Sequence, residues 1–302
     1  MRTLDRRTFL ELSALASAGV AGAVFSTGLR GVARAATHAK ADDFLFVQLS
    51  DSHWGFSDPK INPESEHTLV KAVAAVNALS RQPDFVVFTG DLTHTTDDAD
   101  ERRRRLARFK EIAAGLHVKQ VHYLPGEHDA SLDGGAAYRE LFGETHGSFE
   151  RGNVHFVLLD NVSDPVGQIG AAQLAWLDDD LAKRDPEQPI VVLTHRPLFD
   201  LYPSWDWATR DGAAALQKLE RFEYVTVFYG HIHQEHHQTT GRIAHHAARS
   251  LIFPMPAPGS VPKKFQIPWD DAHPFAGLGF RGVNVAKHGE NVTLGEHALL
   301  PG

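Results

Sequence analysis

The chain has 302 residues, with 30 Lys and Arg against 38 Asp and Glu for a net charge of −8, 19 His and no Cys. A hydrophobic content of 42 % supports the core of one large domain or two small ones, and excludes a disordered, collagenous or polytopic membrane protein. Without cysteine there is no disulfide framework, thiolate zinc site, iron–sulfur cluster or cysteine nucleophile, so any metal must be bound by imidazole and carboxylate, and the negative charge argues against a general nucleic-acid surface.

Residues 1–35 read as an address. Arg2, Arg6 and Arg7 open the segment, an uncharged stretch rich in Ala, Gly and Ser follows over 12–29, and Ala33-Arg34-Ala35 forms a small-x-small cleavage signature. Asp5-Arg6-Arg7-Thr8-Phe9-Leu10 resembles a twin-arginine export signal. That resemblance implies the twin-arginine translocase as a partner during export, and a protein that is periplasmic or secreted. The competing reading is a permanent membrane span, for which the Gly and Ser content is poor. The expected mature chain is a catalytic domain over 36–302.

Beyond the leader, apolar runs alternate with helical periodicity. Residues 43–50 (DFLFVQLS) read as a buried strand, 67–79 as a helix, 85–89 as a second strand, 99–116 as a very basic helix and 118–124 as a third strand. Further strands are expected at 154–159, 189–194 and 224–229, and helices near 171–183 and 212–222. Residues 243–297 hold strand-like runs without a helix, and His236, His237, His245 and His246 are expected on paired strands. This order implies an α/β fold with a mixed sheet or a sheet sandwich, without internal repeats. The stretch 251–281, with Pro254, Pro256, Pro258, Pro262, Pro268 and Pro274, is too long for a simple connector and is either an ordered functional loop or a mobile one. Arg102 to Arg105 read as the solvated face of a helix whose start, rich in Asp97, Asp98 and Asp100, suits the macrodipole.

Candidate metal-binding residues fall just after expected strands. The first strand delivers Asp51-Ser52-His53, the second Gly90-Asp91 and the third Gly126-Glu127-His128-Asp129. His195 follows the strand at 189–194, and Gly230-His231-Ile232-His233 follows the one at 224–229. Strand ends in an open α/β sheet form one rim, so loops far apart in sequence converge there. In extended backbone an Asp-x-His or His-x-His pair puts both side chains on one face, and a glycine ahead of a ligand permits a sharp turn. One block is a weak signal; five blocks at strand ends are a specific one. Asp51, His53, Asp91, Glu127, His195, His231 and His233 make seven ligands, which suits two ions sharing one carboxylate, with room for water and substrate.

In this order the blocks resemble those of the calcineurin-like metallophosphoesterases, dinuclear enzymes related to class III cyclic-nucleotide phosphodiesterases and purple acid phosphatases. The family pattern is D-x-H, G-D-x-x-[D/N/Y], G-N-H-[D/E], a lone His and G-H-x-H, and the likeness runs from about Phe44 to His233. It implies a four-layer α/β/β/α sandwich of two mixed sheets flanked by helices. It also implies that Asp51, His53, Asp91 and His233 hold one ion, and that Asp91, Glu127, His195 and His231 hold a second, Asp91 bridging. His128 would face the phosphate or leaving group, oriented by Asp129. The implied activity is hydrolysis of phosphomono- or phosphodiesters by a metal-bridging hydroxide, with two ions of Fe, Mn or Zn and a small-molecule phosphoester as partner.

Two positions depart from the pattern. Glu127 stands where the family carries a neutral Asn; it is expected to coordinate still, favouring a harder or more highly charged ion such as iron, the alternative being that it turns away. His94, three residues after Asp91, takes the place of a metal-binding Tyr in the purple enzymes and of an acidic residue in the phosphodiesterases. It is a further ligand, a donor to the substrate phosphate, or the partner of a ligand.

Tyr202, Trp205 and Trp207 follow His195, and Phe265, Trp269 and Phe275 lie in the Pro-rich stretch. They either stack a base or aromatic leaving group or pin long loops to the sheet. Arg196, Lys263 and Lys264 are candidates to meet substrate charge, Arg196 alternatively as the partner of a ligand. Neither a Gly-x-Ser-x-Gly elbow nor a Gly-x-x-x-x-Gly-Lys-Ser/Thr loop occurs. The competing functions are a non-catalytic metal- or partner-binding protein on the same fold and a periplasmic metal buffer.

Overall fold

A computed structural model describes residues 43–286 and 289–300; the leader expected at 1–35 lies outside them. Strands β1 (Phe44–Leu49), β2 (Phe85–Thr89) and β3 (Val121–Leu124) run parallel, β10 (Gly279–Val285) adds antiparallel to β1 and β11 (Val292–Ala298) antiparallel to β10, giving the order β11-β10-β1-β2-β3. A second sheet contains β4 (Gly147–Arg151), β5 (Val154–Leu159), β6 (Ile190–Thr194), β7 (Val225–Tyr229), β8 (His236–Thr240) and β9 (Ile243–Ala247). Its order is β4-β5-β6-β7-β9-β8, parallel through the middle with β4 and β8 as antiparallel edges. The paired strands expected around His236 and His245 are thus β8 and β9.

The layers follow from the alternation of side chains. Phe44 and Phe46 of β1 point inward, where they meet Phe85, Phe156, Leu193 and Phe228 between the sheets, while Val47 and Leu49 point outward. Phe46 stacks on Phe85 at 5.0 Å and meets Phe228 edge-on at 5.5 Å, a close aromatic layer. Helices α1 (Thr68–Asn77) and α2 (Ala99–Ala113) cover the outer face of the first sheet through Leu69, Val73, Val76 and Phe109. Helices α5 (Ala171–Leu181) and α6 (Gly212–Leu219) cover the second through Leu177, Leu181, Leu216 and Leu219. Both sheets are mixed and buried on both sides, which is why their central strands read as near-continuous apolar runs. The result is the α/β/β/α sandwich.

Short elements escaped the sequence reading. Helix α3 (Glu127–Ala130) is a single turn on the third ligand loop, α4 (Ala136–Phe142) lies between Gly135 and Gly143, and β4 is a half-exposed edge. The basic face of α2 is also corrected. Arg102 is buried, donating to Asp133 at 3.0 Å and to the Thr96 carbonyl at 3.0 Å, and Arg105 donates to the His94 carbonyl at 2.9 Å. Two of the four arginines therefore clamp the loop after β2, because its carbonyls lie within reach of the first turns of α2.

Candidate metal centre

The two sheets contribute separately to one rim. From the first come Asp51 and His53 after β1, Asp91 after β2, and Glu127 and His128 after β3; from the second come His195 after β6, and His231 and His233 after β7. Five of these residues have a positive φ: Asp51 (55°), His53 (41°), Asp91 (47°), His231 (67°) and His233 (56°). Such backbone is uncommon outside glycine and costs on the order of 1–3 kcal/mol per residue, so surrounding structure must hold it. Here the Asp51 amide donates to the Gly90 carbonyl at 3.1 Å and the His53 amide to the Asp91 carbonyl at 2.9 Å.

The glycines serve a different purpose from the sharp turn expected of them at two positions. Gly126 has φ −103°, open to any residue, but a Cβ there would lie 2.0 Å from Asp91 Oδ1. A Cβ on Gly230 would lie 1.9 Å from Ser50 Oγ. Close approach of neighbouring loops, rather than conformation, excludes larger residues.

All seven expected ligands converge. Asp51, His53, Asp91 and His233 bring one ligand atom each within 4.8 Å of one another, and so do Glu127, His195 and His231. Asp91 joins the two groups: its Oδ2 lies 3.3 Å from His53 Nε2 and 3.4 Å from His195 Nε2. Glu127 turns inward, 2.9 Å from both His195 Nε2 and His231 Nδ1. Glu127 Oε2, His195 Nε2 and His231 Nδ1 are nevertheless buried without a hydrogen-bond partner. Leaving such atoms unpaired is expensive, and three of them aimed at one point fit a cation.

The outward nitrogens set the ligand atoms. His195 Nδ1 faces the Thr89 carbonyl at 2.7 Å, His233 Nδ1 the Phe253 carbonyl at 2.8 Å and His231 Nε2 the Asp206 carbonyl at 3.0 Å. A carbonyl only accepts, so each of these nitrogens carries the proton and the inward one keeps a free lone pair. His53 differs, pairing its Nδ1 with Nδ1 of His94 at 3.3 Å.

Charge balance agrees with a cation cradle. Burial alone would raise the carboxyls, yet His233 holds Asp51 below its usual value, and His231 and His195 do the same for Glu127. Burial and the neighbouring His128 push His53 well down, so it stays neutral. Burial opposes charge on His195, but Asp91 and Glu127 outweigh it and raise its pKa. A proton on His195 thus stands where an ion would otherwise balance the acids.

Asp129 does not orient His128 as the resemblance implied. The Asp129 carboxylate accepts from the amides of Leu92 (2.9 Å), Thr93 (2.8 Å) and Gly126 (2.9 Å) and from the Thr93 hydroxyl (2.8 Å). With four donors it ties the second ligand loop to the third and does not orient His128. That task falls to the Thr95 amide, which donates to His128 Nδ1 at 3.2 Å. Of the two roles expected for Arg196, contact with substrate or support of a ligand, the structure fits the second: it is buried, and its guanidinium donates to the Asp206 carbonyl at 2.7 Å and pairs with the Asp206 carboxylate. It braces the carbonyl that orients His231. Trp205 and Trp207 are buried with Tyr229 and Ile232, so they pin the loop after β6.

Several contributors had no legible signal. The carbonyls of Thr89, Asp206 and Phe253 work through backbone, which every residue possesses. Beneath the rim lies a further tie. Buried Arg281 on β10 pairs with Glu296, donates to the Ala247 carbonyl at 2.7 Å and reaches Gln48 Oε1 at 3.4 Å. Gln48 then donates to the Tyr229 carbonyl at 3.0 Å and to Thr89 Oγ1 at 3.1 Å. This network spans both sheets directly below the ligands.

An α/β/β/α sandwich carrying two joined His and carboxylate groups on its strand-end rim defines a class of metal-dependent hydrolase. Residues 44–235 match the calcineurin-like phosphoesterase family, and the chain belongs to it as a metal-dependent phosphoric ester hydrolase. It is 31 % identical over 197 residues to a 3',5'-cyclic-nucleotide phosphodiesterase of Nostoc sp., covering 63 % of this chain and 71 % of that protein. It is 25 % identical over 268 residues to a 3',5'-cyclic adenosine monophosphate phosphodiesterase of Vibrio vulnificus, covering 84 % and 92 %. In fold it is similar to a purple acid phosphatase from yellow lupin, with a TM-score of 0.60, 15 % identity and coverage of 86 % and 52 %.

Proposed function

We propose that the chain hydrolyses phosphomono- or phosphodiesters on two metal ions, the first held by Asp51, His53, Asp91 and His233 and the second by Asp91, Glu127, His195 and His231. The observation supporting this reading most directly is the sharing of Asp91 Oδ2 between His53 and His195, beside unpartnered atoms of Glu127, His195 and His231. Two ions held in that cradle would supply Lewis acidity to activate water and neutralise phosphoryl charge. The protein's own proton chemistry centres on His128. Because Nδ1 accepts from the Thr95 amide, the neutral ring carries its proton on Nε2, 4.0 Å from Asp91 Oδ2 and facing the cradle. That N–H is placed to hydrogen-bond a phosphoryl oxygen or to protonate the departing alkoxide.

Hydrolysis of bis-p-nitrophenyl phosphate and p-nitrophenyl phosphate by the ion-loaded chain tests the reading. Activity should vanish on chelation, and His128→Ala should lower kcat by about 10²- to 10⁴-fold while both ions remain bound. Activity that survives chelation, or is unchanged in His128→Ala, rules the mechanism out. The twin-arginine-like leader supports export as a folded, ion-loaded protein; Arg6→Lys with Arg7→Lys should then trap it inside the cell, and unaltered export would refute that part.

A further inference from the structure

The Pro-rich stretch, read as either an ordered functional loop or a mobile one, is tied down at both sides of a cavity. The Ile267 amide donates to the Pro254 carbonyl at 3.0 Å and the Trp269 amide to the Lys60 carbonyl at 3.1 Å. Between this loop and the end of the first sheet lies a cavity of about 360 Å³, lined by Ile61, Phe253, Ile267, Trp269, Phe275 and Leu278 among others. Phe253 is shared with the metal centre: its ring stacks on His53 at 5.5 Å and on His233 at 4.7 Å, and its carbonyl orients His233.

Backbone strain singles out the same place. Among the described residues seven non-glycine positions have positive φ. Five are proposed ligands and a sixth, Asp206, holds His231; the seventh is Phe275, at 62°, in the wall of this cavity. A bulky side chain in that conformation is a true outlier, and strain of this kind clusters at binding and catalytic sites. The Phe275 ring meets Trp269 edge-on at 4.9 Å, and the Lys71 ammonium lies over it at 5.2 Å, so the strained backbone serves to present an aromatic wall.

We propose that this cavity is the subsite for the alcohol part of the ester, taking an uncharged, ring-bearing apolar group while the phosphoryl end lies on the metal cradle. The inference rests on the phosphoesterase reading above. Its volume lies within the range of small-molecule pockets, and three aromatic side chains favour a planar occupant. The titratable side chains lining it are Asp270 and His273, which pair with each other at 2.8 Å. With no Lys or Arg among the described residues of the lining, a second phosphate would find no counter-charge in that wall.

The test compares wild type with Ala276→Phe, which fills the cavity at an exposed position, and with Trp269→Ala, which removes one wall. The KM for 1-naphthyl phosphate should rise about tenfold in each, the inhibition constant of inorganic phosphate should stay unchanged, and 1-naphthol should compete with the ester. Unchanged KM values, a parallel rise in the phosphate inhibition constant, or non-competitive 1-naphthol overturns the subsite. Failure of the ion-loaded wild type to hydrolyse any ester overturns the phosphoesterase reading instead, and binding of 1-naphthol that Ala276→Phe abolishes still reports the aromatic subsite by itself.

Discussion

The Nδ1 atoms of His53 and His94 lie 3.3 Å apart, and this makes His53 the one proposed histidine ligand oriented by a side chain instead of a backbone carbonyl. For His53 Nε2 to ligate, its proton must sit on Nδ1 and be donated to His94. Burial, and then His128, push the His94 pKa down to about 4, so the ring is neutral and able to accept. Removing that acceptor in His94→Ala should weaken binding of the first ion by about 10- to 100-fold, as loss of an outer partner generally does. Calorimetric titration of the metal-free protein measures it; an unaltered affinity would show that His94 does not position His53.

Glu127 faces both His195 and His231 at 2.9 Å, so it should be a ligand of the second ion. Elemental analysis of Glu127→Ala should find one ion per chain where the wild type holds two, with affinity at that site falling beyond the about 100-fold typical of an outer partner. Glu127→Asn should keep the ion but shift its preference away from the hardest cations. Two full-occupancy ions in Glu127→Ala would contradict the assignment.

Ion binding should release a proton from His195. Its folded pKa is raised above the ordinary 6.5 because Asp91 and Glu127 outweigh burial. The sign follows by linkage: in the ion-free chain this charge contributes stability below the unfolded value, lost as pH rises through the folded value. Ion affinity has the opposite slope, rising with pH up to the folded value by as much as roughly tenfold per unit for one proton displaced. Titration calorimetry in buffers of different ionisation enthalpy counts the protons, and a count of zero would remove the basis for this coupling.

The buried pairing of Arg281 with Glu296 anchors the tie between the sheets. Arg281→Met strands a partly buried carboxylate and should destabilise the fold by about 3–5 kcal/mol, whereas Arg281→Met with Glu296→Leu should recover much of that loss. Urea unfolding of both variants supplies the numbers. Because Gln48 hands the same network to Thr89, whose carbonyl holds His195, the single variant should also bind its second ion more weakly.

Sequence patterning located most of the architecture. Continuous apolar runs such as FLFVQL and IVVLT mark strands buried on both faces, and the ligand blocks follow them directly. What escaped were elements whose partners are distant or whose periodicity is too short to register. Helix α4 spans only seven residues between glycines. Arg102 looked solvated because Asp133, its partner, lies 31 positions away. Asp129 looked like a partner of its neighbour His128, yet three donors from the loop after β2 and one from its own turn claim its oxygens.

The seven candidate ligands, their order after strands and the cysteine-free chemistry were fixed by residue type, because imidazole and carboxylate are the ligands that stand after the strands in a chain without thiolate. Tertiary structure alone decided which atom of each ligand faces inward, since that depends on the carbonyls of Thr89, Asp206 and Phe253 and on His94, each brought up by a different loop. It also decided where the strain lies. A positive φ at Asp51 or at Phe275 is no property of Asp or Phe; it is held by neighbours distant in sequence, such as the Gly90 carbonyl that accepts from the Asp51 amide.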